Sequence, residues 1–279
     1  MAYAFPSAGA LDFATCTYGG SRLTFRGPKR DTERAFVSVI GGSDAYGKFV
    51  RAPFPDLLER TLGLPVANLG QQNAGIDVFL NDPATLEIAA KSSVAVIQLL
   101  GPQNNSNRFY AVHPRRNDRF LAAKPALREL FPKVDFTEFN FTRHLLLTLQ
   151  HQSPEKFQIL ATELRQVWTL HMRHLLTLLP CPKLLVWISE TAPVAAQDAD
   201  DLFTNPMLID REMIAGIARL ATQVVQAIPS PEARVMGLEG MDFALQDLPS
   251  AAASLGPYAH REICDTLHPV IEEQLRPRN

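Results

Sequence analysis

Short apolar runs alternate with stretches of helical period along this chain. Ala35 to Ile40 is the first such run and breaks at Gly41-Gly42-Ser43. Leu64 to Leu69 is a second, closed by Gly70, and Val94 to Leu100 a third, nearly continuous in apolar residues. Runs of this kind read as strands buried on both faces. Between them, Phe54, Leu57, Leu58 and Leu62 recur at helical spacing before Gly63, and Asn81-Asp82-Pro83 reads as a cap with proline in the first turn of a helix. The order is β-α-β-α-β, with each strand ending in a polar loop. A parallel sheet with helices on both faces has this appearance in sequence.

From 108 to about 180 the pattern changes. No strand candidate stands out, and Ser153-Pro154 opens a long helical period (Phe157, Leu160, Leu164, Trp168, Leu175, Leu179) that stops at Pro180. Leu145 to Leu149 belongs to a preceding helix. This stretch reads as a helical insertion after strand three, within the same domain. Lys183 to Ile188 is strand four. Asn205-Pro206 is expected to cap an amphipathic helix carrying Ile214, Ile217, Leu220, Val224 and Ile228, Ala233 to Met236 to form a weak fifth strand, and Pro269 to open the last helix. Residues 1–34 read as an arm or hairpin packed on a single domain spanning 35–279, with turn-type Gly19-Gly20 followed by alternating Leu23 and Phe25.

Composition narrows the function classes. The chain has 279 residues and a net charge of −2, so bulk charge gives no argument for nucleic acid or an anionic membrane surface. No apolar run approaches the ~20 residues that span a bilayer. Met1 to Pro6 lacks the basic and apolar regions of a signal peptide. The three cysteines (Cys16, Cys181, Cys264) are scattered, as suits a reducing compartment, and the expected location is the cytoplasm. His144, His151, His171 and His174 have no accompanying carboxylate or cysteine set, so no metal is expected. Gly41-Gly42-Ser43-Asp44-Ala45-Tyr46-Gly47 lacks the glycine spacing of a dinucleotide loop, and no cofactor is expected.

The candidate chemistry is nucleophilic. A serine attacking an ester needs a base, a carboxylate to orient that base, and donors for the oxyanion. Ser43 follows the first strand, at the kind of strand end where open α/β sheets place their sites. Asp265 and His268 lie three residues apart near the C-terminus, a spacing that lets a carboxylate orient an imidazole. The N–H groups of Ser43, Gly70 or Gly75 and the amide of Asn104 are candidate oxyanion donors.

These blocks, in this order, resemble the SGNH (GDSL-type) hydrolase superfamily. Gly41-Gly42-Ser43 stands for the serine block, Asn68-Leu69-Gly70-Gln71-Gln72-Asn73-Ala74-Gly75 for the glycine block, Gly101-Pro102-Gln103-Asn104-Asn105 for the asparagine block, and Asp265-Thr266-Leu267-His268-Pro269 for the last. The resemblance covers about 35–107 and 180–275. It implies a flavodoxin-like three-layer α/β/α sandwich with a five-stranded parallel sheet. It also implies ester hydrolysis or O-acyl transfer on an acylated small molecule or carbohydrate, without metal or organic cofactor. Ser43 would be the nucleophile, His268 the base and Asp265 its orienting group. Gly42 replaces the family's aspartate, and Gln103 falls where its asparagine belongs, so Asn104, Asn105 or Asn107 must serve with a shift.

Two other readings stay open. One is an SGNH-fold binding protein without turnover. The other is a transferase for an anionic group, held by the basic cluster of Arg108, His113, Arg115, Arg116 and Arg119, in which Arg108, Arg115 and Arg116 are candidate substrate ligands beside Asn105 and Asn107.

Overall fold

In the computed structural model, which describes residues 9–276, the chain begins with a small antiparallel pair, β1 (Thr15–Cys16) and β2 (Phe25–Arg26). The Met1–Pro6 stretch and the last three residues lie outside the described part. The sheet proper opens with β3 (Val37–Ile40), followed by α1 (Ser43–Tyr46) and α2 (Phe54–Leu62). Then come β4 (Val66–Asn68), α3 (Ile76–Leu80), α4 (Pro83–Lys91) and β5 (Val94–Gln98). Asp82 caps α4 by accepting from the Thr85 N–H, and Gly63 ends α2 in a left-handed conformation.

The insertion holds a β-hairpin as well as helices: β6 (Tyr110–Val112) pairs antiparallel with β7 (Phe120–Ala123), and α5 (Pro125–Leu130), α6 (Thr142–Gln152) and α7 (Pro154–Leu178) follow. Those strands are three and four residues long and flank the arginine-rich turn, which in sequence stands out as a basic cluster and not as a hairpin. The sheet resumes with β8 (Lys183–Ile188), α8 (Arg211–Ala218), β9 (Gln223–Ala227), α9 (Pro231–Met236), α10 (Leu248–Ala252) and α11 (Pro257–Leu275).

Three expectations are corrected here. The fifth strand is Gln223–Ala227, while 231–236 is helical: Ser230 caps that turn by accepting from the Ala233 N–H. The helix expected from Asn205 begins only after Asp210, whose carboxylate accepts from the Met213 N–H at 2.7 Å, so Val224 belongs to the strand. The last helix starts at Pro257, and Pro269 sits inside it. Pro269 is exposed, so the Asp265 carbonyl that loses its intrahelical donor there faces water.

All five main strands are parallel, in the order β4-β3-β5-β8-β9. Side chains alternate between faces. Val37, Val39, Val94, Val96, Leu184 and Val186 pack with α2 and α11 through Phe54, Leu58, Ile263, Leu267 and Ile271. Ile40, Ala95, Ile97 and Leu185 pack on the other face with Phe79, Ala89, Trp168, Met172 and Ile217. This is the three-layer α/β/α arrangement. A separate core fills the insertion, and α7 joins the two: Phe157, Leu160 and Leu164 lie in the insertion core, while Trp168, Met172 and Leu175 lie against the sheet.

The strand order reverses between β3 and β5, which opens a crevice at their carboxyl ends. The wall of that crevice after β3 is fixed by Arg26, only 4% exposed, whose guanidinium donates to the carbonyls of Tyr46, Gly47, Val50 and Arg51. Arg26→Met leaves several of these acceptors buried and unpaired. It should lower the free energy of unfolding by about 3 kcal/mol in urea titration.

Candidate functional site

The turn after β3 delivers Ser43 as the first residue of α1. Its hydroxyl and Asn73 bond to each other twice: Ser43 Oγ donates to Asn73 Oδ1 at 3.1 Å and accepts from the Asn73 N–H at 3.0 Å. Asn73 has φ +53°, the left-handed region that asparagine tolerates better than most residues. That turn aims its N–H back at the serine. The Asn73 Nδ2 donates to Asp118 Oδ2 at 3.2 Å, and the Asn73 carbonyl accepts from Asn104 Nδ2 at 2.9 Å. Thr142 Oγ1 in turn donates to Asn104 Oδ1 at 2.6 Å.

The loops after β4 and β5 meet because residue 75 is a glycine. A Cβ there would stand 2.2 Å from the Asn104 carbonyl oxygen. Asn117, fully buried in the turn of the insertion hairpin, accepts from the Gly75 and Val78 N–H groups and so closes the start of α3.

Around this network lies a cavity of about 610 Å³, a size that suits a small organic ligand. Ser43, Asp44, Asn73, Gln98, Gln103, Asn104, Asp118 and Thr142 line it, with Lys48, Phe141, Arg143, Asn205 and His260. Burial pushes the Asp44 carboxyl up, opposed by the Gln98 amide that donates to it at 2.7 Å. The other end of Gln98 accepts from the Gly42 N–H. Lys48 is held by Asp247 at 3.0 Å.

Of the residues singled out from sequence, Ser43 and Asn104 line this cavity. Gly70 and Gly75 do not serve as free donors. The Gly70 N–H is spent on Asn68 Oδ1 at 2.9 Å and that of Gly75 on Asn117 Oδ1 at 3.0 Å. Asn105 and Asn107 shape their own loop: Asn107 Oδ1 accepts from the Phe109 and Tyr110 N–H groups, and its Nδ2 donates to the Asn105 carbonyl. Arg108 lies over the Phe109 ring and 3.5 Å from Glu163. Arg115 and Arg116 are exposed on the hairpin turn, whose N–H groups bond to His113 Nδ1.

Asp265 and His268 are not brought to Ser43. Both sit within α11, Asp265 exposed and His268 Nε2 3.3 Å from Glu272, and neither lines the cavity. The residue of α11 that does is His260 in its first turn. His268 lies eight residues further on, about 12 Å down the axis at 1.5 Å per residue. Of the four histidines on α6 and α7, His171 faces Asp77 at 2.8 Å and His144 packs on Phe139. Among the described residues no cluster is placed to hold a metal, and no helix is long and apolar enough to cross a membrane.

Asn73, Asp118, Thr142, Arg143 and His260 were missed. A signal existed for Asn73, an asparagine two residues before Gly75 in the glycine block. None marked Asp118 or Arg143, which the insertion brings in from far along the chain.

His260 is buried, stacks on Phe54, and its Nδ1 accepts from the Phe54 N–H at 3.1 Å. Burial, with Arg26 as a lesser cause, pulls its pKa down to about 3. In the unfolded chain it takes a proton near pH 6.5, whereas in the fold it stays neutral down to about 3. The unfolded state therefore binds more protons in that interval, and stability falls as pH drops through it. His260→Asn, which keeps an acceptor for Phe54, should flatten the dependence of unfolding free energy on pH between about 6.5 and 3, measured by chemical denaturation at each pH.

The family model of a domain of unknown function, DUF6473, matches residues 1–275. No curated protein matches the chain. Among solved structures, a carbohydrate acetylesterase family member from Sinorhizobium meliloti is similar at 12% identity and TM-score 0.38, over 87% of this chain and 99% of that one. A family two carbohydrate esterase from Clostridium thermocellum, solved with cellohexaose, is similar at 9% identity and TM-score 0.44, over 90% of this chain and 68% of that one.

Proposed function

The chain belongs to the DUF6473 family, and for it we propose a serine-dependent ester hydrolase or O-acyltransferase of SGNH type, acting in this cavity on an acylated small molecule or carbohydrate. The observation that supports it is the meeting of Ser43, Asn73 and Asn104 from the loops after β3, β4 and β5, in the chain order the resemblance requires. In this reading Asn73 takes the place of the second-block glycine. Its left-handed turn presents an N–H to the serine oxygen and so fixes where the nucleophile stands.

The base in this reading is not His268. Asp118 is the carboxylate linked to Ser43 through the Asn73 side chain. When substrate displaces that amide, Asp118 takes the Oγ proton as Oγ bonds to the acyl carbon. It returns the proton to the departing alcohol oxygen as the ester bond breaks. Water, or a second alcohol in the transfer case, then releases the acyl group from Ser43 with Asp118 again as base.

One observation favours a second reading, a binding protein without turnover: the Ser43 hydroxyl proton points at an amide oxygen and not at an imidazole. Turnover of an acetyl aryl ester separates the two. The hydrolase reading predicts that Ser43→Ala costs at least about 10³-fold in kcat/KM. Asp118→Asn should cost about 10²-fold or more, while His268→Ala changes it less than about twofold. Absence of turnover in the folded wild type, or activity that survives Ser43→Ala, would move the assignment to the binding reading.

A further inference from the structure

Arg143 is the one cation lining the cavity, among the described residues, that lacks a carboxylate within ion-pair distance. Lys48, the other, is engaged by Asp247. Arg143 follows Thr142 in the first turn of α6, and its Nη2 donates to Asn205 Oδ1 at 2.7 Å. Asp201 acts on it only from longer range. Burial disfavours its charge, and a guanidinium carries five N–H donors in a planar fork. A half-buried fork with one described acceptor and no carboxylate beside it suits a ligand that brings its own negative charge.

The carboxylates of the cavity are occupied elsewhere. Asp118 accepts from Asn73 and Asp44 from Gln98.

We infer that Arg143 is the specificity-determining residue of this cavity and selects ligands bearing an oxyanion, a carboxylate or phosphate. The inference rests on reading the cavity as the substrate site, though not on the reactivity of Ser43. It moves the anion-binding role from the exposed arginines at 108, 115 and 116 to a residue inside the cavity. The fork geometry favours a bidentate pair with the anion while Asn205 fixes the plane of the guanidinium.

The test is calorimetric titration of the full chain with D-glucuronate, glucose 6-phosphate and glucose. Wild type and Ser43→Ala should bind at least one anionic sugar about tenfold or more tightly than glucose. Arg143→Gln should erase that preference and Arg143→Lys restore part of it. The arm that binds, glucuronate or the phosphate, identifies the oxyanion. A wild type that binds both anionic sugars no better than glucose overturns the inference, and this arm needs no variant. So does a folded Arg143→Gln protein that keeps the preference. Anion preference retained in a protein without esterase turnover would sink the serine mechanism and leave this inference standing.

Discussion

Asn73 uses every polar group it has to hold the cavity together. Its N–H and Oδ1 both engage Ser43, its Nδ2 engages Asp118, and its carbonyl receives Asn104. Those four bonds tie the loops after three parallel strands to the hairpin of the insertion. They require a left-handed residue between β4 and α3, and asparagine meets that requirement while also supplying an amide. Without that turn, the serine would stand at a strand end with no neighbour aimed at it.

The insertion is therefore part of the site and not an appendage. Asn117 caps α3, Asp118 reaches Asn73, Thr142 holds Asn104, and Arg143 supplies the cavity's unpaired positive charge. Its own core is continuous with the sheet through α7, so these four residues sit on a supported surface. On the opposite wall, α11 enters at the cavity and runs away from it. A buried histidine with a depressed pKa at its first turn is a structural fixture that joins α11 to α2. It is a poor proton acceptor at neutral pH.

The three-layer fold was legible because its strands are buried on both faces and its loops carry glycine and asparagine at the strand ends. Val94 to Gln98 reads as a strand with no help from context. The hairpin at 110–123 was not legible, since its two short strands flank a basic stretch of Arg115, Arg116 and Arg119 that carries no turn-type glycine, and neither was the strand at 223–227, masked by a helical spacing that ran through it by chance. At the site, Ser43 and Asn104 were legible from their place after strands. Asp265 and His268 had the right spacing for a catalytic pair but the wrong surroundings. Helical period continues from Ile263 through Leu267 to Ile271, all buried against the sheet. That places 265 and 268 on the flank of a helix packed along the sheet, away from the cavity at the carboxyl ends of the strands. Arg143 and Asp118 carried no local signal, because tertiary contact alone brings them to the serine.

The central claim is that Ser43 is a nucleophile. Incubation with a fluorophosphonate, followed by intact mass and peptide mapping, tests it directly, since such reagents phosphonylate an activated serine and spare ordinary ones. The account predicts a single adduct on Ser43, absent in Ser43→Ala and undiminished in His268→Ala. A folded protein that stays unmodified, or an adduct mapped to another residue, would contradict it.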